Sequence, residues 1–290
     1  MALPVDIQQR LDALEKLPTL PVVIENLGRA LREAEVDADR IAAIIADDPA
    51  IMARIMKVVN SSLYLGAEET ASLKQAIVRL GFRAVSNIAM SAAVFSTFPP
   101  SRTAVFNRSE FWRHCICTGI AAECVYNELP RFAALELSRD ELHLSGLLHD
   151  IGKIIFEQYF HDRFIQALEM SQKDQVALSG AEDRILGTDH ARAGAWLGRK
   201  WKLSERLLAV IRWHHSPHNA AEEHRGIVQI CYLANLLVNA AKMGASGNAY
   251  PRYAQKIEHE FDLDDEHLLK IINLVTKKAE QSPLLMTITI

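Results

Sequence analysis

Apolar residues recur every three to four positions over long stretches of this chain, and strict apolar–polar alternation between turn signals is almost absent. Side chains at i, i+3 and i+4 share one face of a helix, so this spacing demands amphipathic helices packed on one another. It leaves little material for a sheet. The expected fold class is therefore all-α. Phe98-Pro99-Pro100-Ser101 is the clearest internal break, because each proline fixes φ and disfavours helix just before it. It divides an N-terminal bundle of short helices, residues 1–100, from a second bundle of longer helices, residues 101–290. The first bundle is expected to pack on the second.

The short helices carry their own punctuation. Leu17-Pro-Thr-Leu-Pro21 is a rigid opener, and a helix over about 22–34 follows it. Asp37 is placed to cap the next, with Ile41, Ile44 and Ile45 on its buried side. Asp48 and Pro49 read as an N-cap followed by a proline-tolerant first turn, with Ile51, Ile55, Val58 and Val59 as the apolar stripe behind them. Ser72 caps a further helix with Ile77 and Leu80 inward, Gly81 ends it, and another runs over about 83–95. Beyond the break the expected helices are roughly 108–128, 140–157, 160–174, 189–201, 204–214, 225–242 and 264–281, with Asp264 as a cap for the last. Gly244–Gly247 reads as a loop.

With 32 basic and 36 acidic residues the net charge is −4. That balance argues against an electrostatic nucleic-acid binder, although the short helices superficially resemble a helix-turn-helix reader. No stretch reaches the roughly 18–20 uninterrupted apolar residues that a membrane span needs. The N-terminus places acids where a secretory signal needs an apolar core. A cytoplasmic protein is expected, with no membrane association. Cys115, Cys117, Cys124 and Cys231 form no CxxC pair and are expected to be reduced and buried.

Chemistry concentrates after the break. Glu110 and His114 lie four apart and project from one face of a predicted helix, where a carboxylate and an imidazole can ligate one metal. His149 and Asp150 are adjacent inside a strongly apolar helix, flanked by Leu147, Leu148, Ile151, Ile154 and Ile155. Burying an ionised aspartate there is costly without a partner. A metal ion is such a partner, and two carboxylate oxygens can bridge two ions roughly 3.5–4 Å apart. The second copy of the dipeptide, His161-Asp162, has a more polar setting and reads as surface. His190 falls in the first turn of a helix opened by Thr188-Asp189. His214 and His215 end another. Adjacent helical residues point about 100° apart, so the pair can reach two ions, or one ion and its substrate. Taken singly, each piece has an ordinary structural explanation: a surface pair, a helix cap, or an imidazolium at a helix C-terminus.

The ordered set of Glu/His, His-Asp, His and His-His on helices resembles the HD superfamily of metal-dependent phosphohydrolases, and in ligand order the HD-GYP cyclic di-GMP phosphodiesterases. The first half narrows this. Leu17-Pro-Thr-Leu-Pro21, Asp48-Pro49-Ala50 through Val59-Asn60-Ser61, and Ser72-Leu-Lys-Gln-Ala-Ile77 through Leu80-Gly81 resemble the HDOD domain over about residues 10–280.

The resemblance implies an HD-like helical bundle holding divalent ions through Glu110, His114, His149, Asp150, His190, His214 and His215. Lys153 matches a lysine that faces substrate phosphate, so Asp150 and Lys153 would be the catalytic pair. The donors are all N or O. They suit one or two divalent transition ions, iron or manganese favoured by the resemblance and zinc, nickel or cobalt also compatible. Two departures stand out. Asn235 occupies the place of a ligating aspartate, and Ser216-Pro217-His218-Asn219 replaces the Gly-Tyr-Pro element that contributes to cyclic di-GMP recognition. The leading expectation is a bacterial signal-transduction module, non-catalytic or weakly catalytic, acting through protein partners. The rival is an active phosphohydrolase on a nucleotide or cyclic dinucleotide. A third reading is a helical scaffold whose histidines are structural.

Overall fold

A computed structural model describes residues 4–12, 22–30, 33, 37–60, 70–98, 106–248, 261 and 263–285. The Leu17–Pro21 opener, Ser61 and the prolines at 99–100 lie outside the described residues. The described elements are helical, with no strand among them. By contact density the chain forms two compact units, one of residues 1–17 and 101–279 and the other of residues 18–100 and 280–290. The first helix thus belongs with the later ones.

In the unit of residues 18–100 the helices are α2 (Val22–Ala30), α3 (Ala38–Ala46), α4 (Pro49–Val59), α5 (Leu73–Leu80) and α6 (Phe82–Thr97). Their ends are set by the caps that the sequence supplies. Asp37 accepts from Arg40 N, Asp48 accepts from the backbone of Ala50 and Ile51 ahead of Pro49, and Ser72 accepts from Gln75 N. Each such cap satisfies a backbone donor that the first helical turn leaves free. Ile41, Ile45, Ile51, Ile55, Val58, Val59 and Ile77 are buried as their spacing requires. Ile44 and Leu80 are only half-buried, each at the margin of its apolar stripe. Asn60 holds both the N–H and the carbonyl of Thr70, at 2.8 and 2.9 Å.

The other unit holds α1 (Val5–Asp12), α7 (Arg108–Glu128), α8 (Arg139–Leu148), α9 (Ile151–Tyr159), α10 (His161–Asp174), α11 (Leu178–Leu186), α12 (His190–Lys200), α13 (Glu205–Trp213), α14 (Glu222–Ala240) and α15 (Asp265–Glu280). Asp264 caps α15 by accepting from His267 N. Two expectations need correction. The helix expected over 140–157 is two helices, because Asp150 leaves helical geometry at φ −101° and ψ 8°. The helix α11 was not expected at all: its sequence, Leu-Ser-Gly-Ala-Glu-Asp-Arg-Ile-Leu, mixes a glycine with few apolar positions.

Close backbone approaches draw this unit together. A Cβ on Gly146 of α8 would stand 2.1 Å from Gly119 N of α7. One on Gly152 of α9 would stand 1.9 Å from the carbonyl oxygen of His190 in α12, and one on Gly194 of α12 would stand 2.9 Å from Ile211 Cγ2 of α13. Only glycine lets α8 meet α7 and α9 meet α12 backbone to backbone, while Gly194 makes room for the Ile211 side chain of α13. All four cysteines are free and buried. Among the described residues no single helix is long and apolar enough to cross a membrane; α5 and α6 pass that test only as a pair bent by 117°.

Candidate metal centre

The histidines singled out in the sequence converge on Asp150. Its position follows from the break between α8 and α9, which turns both His149 and Asp150 toward one interior point. Asp150 Oδ2 lies 3.2 Å from His149 Nε2 and 3.9 Å from His114 Nε2 of α7. Oδ1 lies 3.1 Å from His190 Nε2, at the start of α12, and 3.4 Å from His214 Nε2, at the end of α13. His215 Nε2 stands 2.8 Å from His190 Nε2.

Two groups of donors result. His114, His149 and Asp150 form one; Asp150, His190, His214 and His215 form the other, and within each the donor atoms lie within 4.8 Å of one another. Asp150 belongs to both. His114, His149, Asp150 and His214 have no exposed surface, and His215 alone is half-buried. Glu110, on the first turn of α7, joins neither group: it is half-buried, with its N–H capped by Asn107 and its carbonyl accepting from Ala245 N. The second dipeptide, His161-Asp162, sits at the start of α10 with Asp162 exposed.

The ligand-side chemistry is set by what lies behind each ring. His149 Nδ1 hydrogen-bonds the carbonyl of Gly146 at 2.7 Å, and His214 Nδ1 that of Ile211 at 3.0 Å. Both contacts leave Nε2 turned toward Asp150. His149 Nε2, His214 Nε2 and Asp150 Oδ1 are buried without a hydrogen bond of proper geometry, an arrangement that is costly unless another partner is supplied. Burial pushes His114 down to about 3 and His214 to about 4, and it holds His215 well below the usual histidine value. Neutral imidazoles with free lone pairs are what a metal ion requires. His190 behaves differently: burial works against its charged form, but Glu182 and Asp150 prevail and raise it to about 9. Asp150 is held well below the usual carboxylate range despite its burial, by His149, Lys153 and His190. The donor set, all imidazole and carboxylate, fits a divalent transition ion.

Lys153 is buried one turn on from Asp150. Its Nζ lies 2.5 Å from Asp150 Oδ2 and donates to the carbonyl of Ser246 at 2.9 Å. The 241–248 loop therefore reaches the centre, although nothing in its local sequence marks it. Asn235 of α14 lies beside His114, whose charged form it favours. It also accepts from Asn239 Nδ2 at 2.6 Å, while Asn239 accepts from Ser246 Oγ. Glu182 of α11 is a second residue that sequence reading missed: it is fully buried and contacts His190.

A family model described as the HDOD domain matches residues 17–217. The chain belongs to the HDOD family. Asn235 and Ser246 lie beyond the matched residues. The HDOD chain is 24% identical over 227 residues to an uncharacterised protein of Treponema pallidum, covering 78% of this chain and 43% of that protein. It thus spans under half the length of that curated relative. Among solved structures, a candidate signal-transduction protein from Marinobacter aquaeolei superposes with a TM-score of 0.79 at 21% identity, over 99% of this chain and 63% of that one. An HDOD protein of unknown function from Geobacter sulfurreducens gives 0.74 at 21% identity, over 97% and 90%. A candidate phosphohydrolase from Shewanella amazonensis gives 0.72 at 20% identity, over 99% and 98%. At these identities the likeness establishes a shared helical fold.

Proposed function

We propose that this HDOD protein is a bacterial signal-transduction module built around an HD-like centre for one or two divalent transition ions, and that it regulates partners rather than turning over a substrate. The observation that carries the reading is Asp150, whose two oxygens face two separate histidine groups inside a core with little opening. His114 and His149 would hold one ion with Asp150; His190, His214 and His215 would hold the other. A bound ion supplies Lewis acidity and lowers the pKa of a coordinated water. Iron or manganese is the favoured metal.

Three features weigh against efficient hydrolysis. Asn235 offers His114's group a neutral amide where a carboxylate would add charge. Lys153 is engaged by Asp150 and Ser246 instead of facing an open cleft. The donors are buried except for the half-exposed His215. Protein partners in signalling accord with the solved relative described as a candidate signal-transduction protein.

The shared carboxylate also favours the second reading, a metal-dependent phosphohydrolase acting on a nucleotide or cyclic dinucleotide, because two-ion sites of that kind activate water. Metal-loaded protein incubated with cyclic di-GMP and with p-nitrophenyl phosphate separates the two. The regulatory reading expects bound metal and no multiple turnover. Sustained hydrolysis abolished by Asp150→Asn would establish the enzyme instead.

A further inference from the structure

We infer that Glu182 is a positioning residue for the second metal group, holding His190 in the orientation that a cation needs. The inference rests on the metal-centre reading above. Glu182 sits in α11, eight residues before His190, and both are essentially without exposed surface. One carboxylate oxygen, Oε2, takes both contacts: His190 Nδ1 at 2.5 Å and His190 N at 2.9 Å. The other oxygen has no hydrogen-bond partner among the described residues.

This allocation is informative. The start of α12 already has a cap, since Asp189 accepts from Arg192 N at 2.8 Å. Glu182 does not duplicate that cap: its backbone contact is to the N–H of the same histidine whose ring it holds. A buried carboxylate is tolerated only where something compensates it, and the described partners of this one are both on His190. A carboxylate on Nδ1 fixes the ring with Nε2 turned inward, toward the place a cation would take. It also makes the imidazole a better donor, the usual role of a carboxylate behind a ligating histidine. Nε2 is the atom that faces Asp150 Oδ1 at 3.1 Å and His215 Nε2 at 2.8 Å. His149 and His214 have only backbone carbonyls behind them. Among those three rings, His190 alone has a charged partner at its back.

The test uses the full chain, stripped with chelator and titrated anaerobically with Mn²⁺ and with Fe²⁺. Wild type, Glu182→Gln and Glu182→Ala are compared, with metal-free melting temperature measured in parallel. Gln keeps the shape and can still accept from Nδ1, but lacks the charge. The expected result is a 10- to 100-fold loss of affinity at one of two binding steps for Glu182→Ala, a smaller loss for Glu182→Gln, and an unchanged other step. A purely structural role would lower the metal-free melting temperature and leave both steps as in wild type, which would overturn the inference while the centre stands. Equal weakening of both steps would overturn it too. Wild type that binds no metal would remove the centre and the inference together.

Discussion

Gly152→Ala tests how the two donor groups are brought to one carboxylate. The new Cβ would lie 1.9 Å from the carbonyl oxygen of His190, 2.7 Å from Gly194 N and 2.8 Å from His190 C. All three are backbone atoms, so no side chain can rotate away. Relieving the oxygen contact to about 3.2 Å requires α9 and α12 to part by roughly 1.3 Å at this point. Asp150 travels with α9 and His190 with α12, and metal–ligand distances tolerate only about ±0.2 Å. The second group should therefore lose its ion while the first, carried by α7 and the α8–α9 turn, keeps its own. Overpacking costs about 1–3 kcal/mol, and a backbone clash falls at the upper end. Gly180→Ala is the control: nothing lies within 4 Å of a Cβ there, and an alanine in a helix should gain about 0.5–1 kcal/mol. Metal content by elemental mass spectrometry and melting in EDTA read both effects. A Gly152→Ala protein that melts like wild type and binds the same number of ions would refute the packing argument.

Asn235→Asp places a carboxylate beside His114 and should tighten the first ion about tenfold or more, since a charged contact is worth about 1.5–3 kcal/mol; a metal titration checks it, and no change would mean Asn235 does not face the ion. His143 of α8 is pushed down to about 4 by burial alone. The unfolded chain takes up that proton below about 6.5 and the folded one does not, so His143 by itself should remove up to about 3 kcal/mol of stability from metal-free protein as pH falls from 6.5 to 4. Urea melts in EDTA should show His143→Asn flattening part of that limb, with the rest belonging to His114 and His214. His190, raised to about 9, stays protonated in the folded chain, and its contribution to the slope fades once pH is well below 6.5, where the unfolded chain is protonated as well.

The helices and their caps were legible because they are local. Asp37, Asp48, Ser72 and Asp264 each cap the turn they precede. His149 and Asp150 were legible as candidates because polar groups stand out in an apolar run. The break at Asp150 was not, since the periodicity on either side continues through it and only the tertiary pull on His149 and Asp150 interrupts the helix. Glu182 and Ser246 were invisible for a related reason: each matters through a contact 8 or 93 residues away, and nothing in the local sequence of either marks it. Glu110 shows the converse. Its i,i+4 spacing to His114 is a property of the helix, but which groups meet the centre depends on what packs against that face.

The central claim is that two groups of histidines share Asp150 as a common ligand. Elemental analysis of anaerobically reconstituted protein tests it directly, with His114→Ala, His190→Ala and Asp150→Asn beside wild type. Two ions in wild type, one in each histidine variant and none in the folded Asp150→Asn protein is the predicted result. A folded wild-type chain without transition metal, or an Asp150→Asn protein that keeps its full complement, would contradict it.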